Sequence, residues 1–302
     1  MWITFSVFSA IAFGVRGILY HWTSQKKLNR NALLCGTFAT GAIVNLIIAL
    51  LYSSHWSLAC LIGIQMGLFS FGANASMFKG FAVGKASLVA IFTALPSVVV
   101  VLVAFLLWDE RLHTMQLLAF LVIVGGVLLV RYSNDLSLRN LQGAQWGLLA
   151  MLLFAGNDLS SKWSTLMGAE LFPTMVMMFA TGSACFGIWW WNDRRLERKK
   201  ASGPVLHAAV DSGNDKSKPF WSDRRTFLAG LGIGTTNTVG MMLIVTAFDV
   251  GKAGLVSAVV ALNVLLVLIY TRFFVKEKFT RTELAGILLS FFGILLMRLF
   301  GA

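Results

Sequence analysis

Charged side chains are scarce in this chain of 302 residues, where Asp, Glu, Lys and Arg together make up only 13%. A soluble domain carries about 25% charged residues, so roughly half of the expected charge is missing. Hydrophobic residues take up 57% of the sequence, and its mean hydropathy is +0.77. A water-soluble fold of this size could not cover its surface with so few polar groups. The composition therefore predicts a polytopic membrane protein.

The sequence also lacks the residue patterns of a disulfide-bonded protein or an enzyme. Its three cysteines all lie in apolar runs, and an odd number gives no disulfide framework, so we interpret them as core residues. Its four histidines lie between apolar runs or at their ends, which leaves no cluster of metal ligands. No Ser–His or paired-carboxylate arrangement falls within an apolar run, and no Walker A motif is present. We therefore expect no catalytic residue, no metal and no cofactor.

Ten apolar runs are each close to the length of about 20 residues that crosses a bilayer as a helix. They are continuous rather than alternating, which is not the pattern of transmembrane strands. The first run has no basic flank and is too long for a cleaved signal peptide, so we expect it to remain in the mature protein. The spans predicted in this all-α fold cover residues 2–22, 32–52, 56–78, 86–108, 113–130, 143–163, 171–192, 226–248, 253–275 and 282–300.

The second half of the chain repeats the first. Residues 81–131 align without a gap with residues 248–298, and 17 of the 51 pairs are identical. This offset is 167, whereas the earlier parts of the two halves match at an offset of 141. The difference is explained by the long polar segment 193–225, which we predict to be a flexible basic loop beside the membrane rather than a nucleic-acid site.

The chain is thus predicted to be one five-helix unit written twice, at residues 1–132 and 143–300. Because five is odd, the second copy must enter the membrane from the opposite side. We therefore predict inverted repeats related by a pseudo-two-fold axis in the membrane plane. Many secondary transporters are built in this way, with substrate sites near the midplane between the repeats.

Several of the repeated stretches resemble EamA domains. In the first half these are residues 81–90, 95–96, 108–112 and 125–129, and in the second half they are 251–257, 276–279 and 293–296. The chain is thereby similar to the EamA-type transporters of the drug/metabolite transporter superfamily, with one EamA domain in each half. The resemblance implies export of metabolites such as amino acids, nucleosides or drugs. It also implies a central cavity lined by spans 1, 3, 4, 6, 8 and 9. One departure is Asn263, which stands at the position of Pro96.

Ionisable residues inside spans are costly, which makes them functional candidates. Arg16 either reaches toward the interface near Trp22 or has a role in the cavity. Asp158 lies beside Asn157, which is the repeat counterpart of Arg16. Asp158 either pairs with Lys162 one helical turn away, or is a cavity carboxylate that binds a cationic group or carries a coupling proton. Arg16 is the alternative partner of Asp158 across the repeat interface. For Asp158 we favour the role in the cavity.

Amide side chains and one proline complete the candidate site. Gln65, Asn74, Asn237 and Asn263 lie in spans that the family places around the cavity, so they either contact substrate or bond neighbouring helices. Pro96 removes a backbone hydrogen bond in mid-span and is expected to kink the fourth helix.

Two further repeated features are interpreted as structural. Gly63 and Gly67 recur in the second half at the same spacing, which suits the close crossing of helices. Glu110 and Glu277 lie in matching turns before the fifth and tenth spans, where a carboxylate suits a helix N-terminus.

Together these features indicate a secondary active transporter that moves an amino acid, amine, nucleoside or drug-like molecule across the cell membrane, with export as the favoured direction. Two alternatives stay open: uptake of a small cationic nutrient by the same fold, and a lipid scramblase or channel. The expected partners are the lipid bilayer, a small-molecule substrate, and a proton or counter-substrate. No nucleic acid is expected, and the chain is a monomer or a homodimer.

The distribution of positive charge predicts an orientation. Loops that follow odd-numbered spans hold 20 of the 25 Lys and Arg residues. The positive-inside rule therefore places these loops in the cytoplasm and both termini outside. Members of the resembled family more usually keep their termini in the cytoplasm, so this expectation departs from the family.

Overall fold

The computed structural model describes residues 1–24, 26, 28–83, 86–131, 143–201, 221–274 and 280–300. These residues form α-helices and one short 3-10 helix, Leu58–Leu61, and contain no strand. The helices are α1 (Trp2–Ser24), α2 (Arg30–Leu51), α3 (Ile62–Val83), α4 (Ala86–Phe92), α5 (Pro96–Trp108), α6 (Thr114–Arg131), α7 (Ala144–Leu166), α8 (Leu171–Ala201), α9 (Asp223–Val250), α10 (Ala253–Val260), α11 (Asn263–Phe274) and α12 (Arg281–Phe300).

Eight helical segments in the described residues are long and apolar enough to cross a membrane, and Thr114–Val130 is a shorter apolar helix. The predicted all-α polytopic fold is thus confirmed at this level. Of the ten predicted spans, the sixth is not among these segments. It corresponds to α7, where Asn157, Asp158 and Lys162 replace apolar side chains. These polar groups face neighbouring helices. The position of α7 therefore depends on its packing against those helices and not on its own hydropathy.

Two predicted spans consist of two helices end to end. The expected kink at Pro96 is a complete break, because α4 ends at Phe92 and α5 begins at Pro96. Proline suits the first turn of a helix, where its missing N–H needs no partner. The second half breaks at the same register, since α10 ends at Val260 and α11 begins at Asn263. A proline is therefore not required for the break.

Contacts between helices follow the repeat. With α7 to α12 as the counterparts of α1 to α6, the packing of α1 on α9 corresponds to that of α7 on α3. Likewise, α2 packs on α9 as α8 packs on α3, and α1 packs on α10 and α11 as α7 packs on α4 and α5. The pairs α2–α8 and α6–α12 join counterparts directly. Most of the main contacts thus have an equivalent in the other half.

Glycines allow the closest of these crossings. A Cβ atom on Gly63 of α3 would collide with the carbonyl oxygen of Thr174 in α8. Its repeat counterpart, Gly230 of α9, faces the carbonyl oxygen of Leu33 in α2 in the same way. The predicted role of these glycines in close helix crossing agrees with this geometry.

The predicted loop 193–225 is shorter than expected at both ends. Helix α8 continues to Ala201, so residues 193–201 are helical, and α9 already begins at Asp223. Arg194 Nε lies 2.5 Å from Asp223 Oδ2, and Trp190 Nε1 donates to the same oxygen at 3.1 Å. These contacts, with the good helix propensity of Arg, Lys, Glu and Leu, account for the extension. Residues 202–220 lie outside the described part of the chain.

Candidate functional site

A cavity of about 230 Å³ lies between the two halves of the protein. Apart from Met178 of α8, its lining comes from α1, α3, α7, α9 and the two broken spans. These are the six spans that the family resemblance implies. Most lining residues form pairs at repeat-equivalent positions: Phe13 and Phe154, Arg16 and Asn157, Ser70 and Asn237, Asn74 and Met241, Met77 and Ile244, Thr93 and Val260, and Pro96 and Asn263.

Six of the seven polar residues proposed from the sequence line this cavity, as does Pro96. The six are Arg16, Asn74, Asn157, Asp158, Asn237 and Asn263. Gln65 does not join them, because it is exposed on the outer side of α3, next to Trp108 and Trp163. It precedes Ser70 by five residues, which rotates it by about 140° away from the cavity face of the helix.

Arg16 turns into the cavity rather than toward Trp22. One of its terminal nitrogens donates a hydrogen bond to Oδ1 of Asn237. The guanidinium lies 4.4 Å from the ring centroid of Phe13 and 5.8 Å from that of Tyr20, within range of a cation–π contact. Its Nε is buried and has no hydrogen-bond partner.

Asp158 forms neither of the ion pairs considered from the sequence. Its Oδ2 accepts a hydrogen bond from the hydroxyl of Ser257 in α10. Among the described residues, the salt bridges involve neither Asp158 nor Arg16. Asp158 and Arg16 therefore face one cavity with separate neutral partners, on α10 and α9 respectively.

Lys162, the expected partner of Asp158, bonds to groups at one end of the bundle instead. Its Nζ donates to the carbonyl oxygens of Phe248 at 2.7 Å and Gly251 at 2.9 Å, and lies 3.4 Å from Oε1 of Glu110. We call this end of the bundle, where α5, α7 and α9 end and α10 begins, the Glu110 end. Lys162 is only 7% exposed, so this cluster ties three helices together away from water.

Glu110 caps a helix, as its sequence context indicated, but not the one expected. Its Oε2 accepts a hydrogen bond from the backbone N–H of Ala253 at 2.8 Å, at the start of α10 in the other half. The predicted cap was on α6, the next helix along the chain. Tertiary packing brings the α10 terminus closer, where the helix dipole favours a carboxylate. Glu277 lies outside the described residues.

Unsatisfied polar atoms are concentrated in the cavity. Among the described residues, five buried side-chain atoms lack a hydrogen-bond partner, and three of them belong to cavity residues. These three are Arg16 Nε, Ser97 Oγ and Asn157 Oδ1. Because buried polar groups are nearly always paired, this concentration indicates a place for polar atoms of a solute or water.

Sequence reasoning missed the hydroxyl groups of the site, namely Ser70, Thr93, Ser97 and Ser257. Serine and threonine are common in spans, so each alone is a weak signal. The internal repeat gives a stronger signal for Ser70, because Ser70 stands at the position equivalent to Asn237. Within the described chain, no group of His, Cys, Asp and Glu side chains could hold a metal ion.

A multi-pass helical bundle with a polar cavity between its halves is the architecture of a small-solute transporter. A protein of known crystal structure has the same fold, with a TM-score of 0.74 at 12% identity over 99% of this chain and 97% of that chain. None of the curated proteins matches the sequence. The model of the EamA-like transporter family matches residues 1–132 and 141–299. The chain therefore belongs to the EamA-like transporter family.

Proposed function

We propose that the protein is a secondary active transporter that moves a small metabolite by alternating access, with export as its direction. The observation that carries this proposal is the central cavity, whose lining is made largely of repeat-equivalent pairs from both halves. A solute bound there contacts both halves at once. Relative movement of the halves would then change which side of the membrane can reach the solute.

The two halves act as inverted repeats in this proposal. An odd number of crossings in each half, and the equivalence of most of the main helix contacts, support a pseudo-two-fold axis in the membrane plane. The Glu110 end is held together by Lys162 in the state described. Toward the opposite end, Phe81 both lines the cavity and is 37% exposed. Access in this state is therefore assigned to the end opposite Glu110.

Asp158 carries the charge of the substrate or of the coupling ion. It is an acidic residue in the cavity lining, and its carboxylate is held by Ser257 rather than by a cation. An amine group or a proton would neutralise it during the transport cycle. Such a role requires the charge of the side chain, not only its shape.

The test uses purified protein in liposomes with an imposed proton gradient, after a flux screen over amino acids, nucleosides and amines has found a transported solute. Asp158→Asn should abolish gradient-driven transport while the protein inserts and unfolds like the wild type. Asp249→Asn is the matched control, because Asp249 is exposed at the end of α9 outside the cavity. Transport by Asp158→Asn at the wild-type rate at every pH examined would contradict this role.

Two other functions fit the same fold. Uptake of a small cationic nutrient would use Asp158 in the same way but with inward net flux. A channel or lipid scramblase would pass solute without saturation. The direction of net flux separates uptake from export. Initial rates measured against solute concentration separate a carrier from a channel or scramblase, because a carrier saturates and supports exchange of labelled for unlabelled solute.

We also propose the cell membrane as the location, with the odd-numbered loops in the cytoplasm. The charge asymmetry of the loops supports this orientation. A phosphatase that is active only outside the cytoplasm should be active when fused after Ala302. A cysteine placed in segment 200–215 should resist an impermeant thiol reagent in whole cells. Leu58→Cys, which is exposed between α2 and α3, should react. The reverse pattern would establish the orientation usual for the family.

A further inference from the structure

The cavity contains one cationic and one anionic side chain that are not paired with each other. Arg16 is bonded to Asn237 and Asp158 to Ser257, and both partners are neutral. These are the only charged residues that line the cavity in the described part of the chain. A guanidinium inside a membrane span is costly without an acidic partner, so its environment favours a ligand that supplies the negative charge.

The geometry of Arg16 narrows the chemistry of that ligand. The Phe13 ring lies against the guanidinium, one terminal nitrogen is bonded to Asn237, and Nε is buried and unpartnered. A guanidinium presents its N–H donors in a planar fork that fits two oxygens of one oxyanion. Bidentate pairing with a carboxylate would satisfy Nε together with a terminal N–H.

A phosphate group fits less well. It carries a charge of nearly two at neutral pH, but the cavity lining offers only one cation and also contains Asp158. A carboxylate brings a single charge that Arg16 alone can balance. The lining also contains apolar side chains, among them Phe13, Met77 and Met241, against which an apolar body on the carboxylate can pack.

A second pocket of about 230 Å³ lies near Arg16, at the end of α1. Tyr20, whose ring is 5.8 Å from the guanidinium carbon of Arg16, lines this pocket together with Lys26 and Arg30. Two positive charges at this position raise the local concentration of anions, which steers them toward the cavity.

We propose that Arg16 binds the ionised carboxylate of the transported solute, a small molecule whose apolar part lies against the aromatic and methionine side chains of the cavity. This inference rests on the proposed function, since it assigns the solute to the same cavity. It also assigns an orientation, because the repeat counterpart of Arg16 is the neutral Asn157. The carboxylate then binds to one half of the cavity and not to its equivalent.

The test measures equilibrium binding to the full chain in lipid nanodiscs. The probes are acetate, butyrate and 3-phenylpropionate, with 3-phenylpropanamide and 3-phenylpropylamine as uncharged and cationic analogues of the last. At least one carboxylate should bind to the wild type. Arg16→Gln should weaken its binding by about 10- to 100-fold, because a hydrogen bond to a charged group is lost. Binding of the amide should change by less than about twofold, within the scatter expected of a neutral contact.

Two further variants separate a binding role from a structural one. Arg16→Lys keeps the charge but not the fork, so carboxylate binding should fall between that of the wild type and Arg16→Gln. Arg111→Gln makes the same change at an exposed position outside the cavity and should leave equilibrium binding unchanged. Carboxylate binding by a folded Arg16→Gln at wild-type affinity, or no binding of any of the three carboxylates, would overturn the proposal.

Flux measurements on the same preparations distinguish this inference from the proposed function. Saturable flux of 3-phenylpropylamine without binding of any carboxylate would refute the role of Arg16. It would still support a transporter, in which Asp158 binds the amine of the solute. Arg16-dependent binding of a carboxylate, with no saturable flux of any probe, would support the site and refute secondary transport.

Discussion

The two halves of the cavity match in shape but not in charge. Arg16 and Asn237 lie at positions whose repeat counterparts are Asn157 and Ser70, which are also polar and also line the cavity. Asp158 and Ser257 have no such equivalents, because residue 17 is glycine and residue 90 is alanine. The two halves thus form a cavity with a nearly symmetric lining, which holds one cation and one anion that have no charged counterparts.

Structural positions of the repeat have diverged less than these polar ones. Gly63 and Gly230 are both glycines, and each meets a backbone carbonyl oxygen of a helix in the same relative place. A crossing that relies on backbone contact tolerates no side chain, so both copies keep glycine. A cavity position has room for different side chains, so its residue can differ between the two halves. The comparison therefore separates positions that are fixed by helix packing from positions that are free to differ.

The largest effect on stability is expected from substitutions of the glycines at the α3–α8 and α2–α9 crossings. Gly63→Leu and Gly230→Leu should each destabilise the protein by about 3 kcal/mol or more, because backbone on the facing helix cannot move aside cheaply. Thermal unfolding and the yield of folded protein measure this effect. Gly232→Leu is the matched control, since nothing lies within 4 Å of its added Cβ. Similar stability of Gly230→Leu and Gly232→Leu would show that α2 and α9 have room for a side chain at their crossing.

An intermediate effect is expected at the Glu110 end. Lys162→Met removes the cation beside Glu110, whose side chain is 14% exposed and keeps its bond from Ala253, so the expected cost is about 1.5–3 kcal/mol. Glu110→Gln should cost less, because the amide oxygen still accepts from the N–H of Ala253. Thermal unfolding gives the order of the two variants. The control is Asp109→Asn, which removes the exposed pair with Arg111 and should change stability little. Equal stability of Lys162→Met and Asp109→Asn would rule out a structural role for this cluster.

The smallest effect is expected at the helix break. Pro96→Ala should change the free energy of unfolding by no more than about 1 kcal/mol. The second half breaks at the same register with Asn263, so the interruption does not depend on the pyrrolidine ring. Thermal unfolding and transport rate are the measurements. A large loss of either would indicate that the first half, unlike the second, requires its proline.

Much of the site was accessible from sequence because ionisable and amide residues are rare in apolar spans. Arg16, Asp158 and Asn157 stood out for this reason, and the repeat placed them at comparable depth. Gln65 met the same criterion and nevertheless faces outward, because the direction of a side chain depends on helix rotation. In a helix that is apolar on most sides, the sequence pattern specifies that rotation poorly.

The partners of the charged residues were also beyond sequence analysis. Lys162 is one turn from Asp158, which is the spacing of a stabilising pair on a helix. In the folded chain it bonds instead to carbonyl oxygens at the end of α9 and to Glu110. Several acceptors converge on one amine there, and they come from segments about ninety and fifty residues away in sequence. Local spacing contains no information about such distant groups.

Composition and the internal repeat by themselves determined that this chain is a helical membrane protein made of two related halves. They did so because apolar runs of this length have few other stable environments, and because duplicated sequences fold alike. The tertiary structure alone decided which polar residues face one another, which groups bond to Lys162 at the Glu110 end, and that Arg16 and Asp158 line one cavity without forming an ion pair. Those outcomes depend on helix rotation and on contacts between distant segments, which no local pattern encodes.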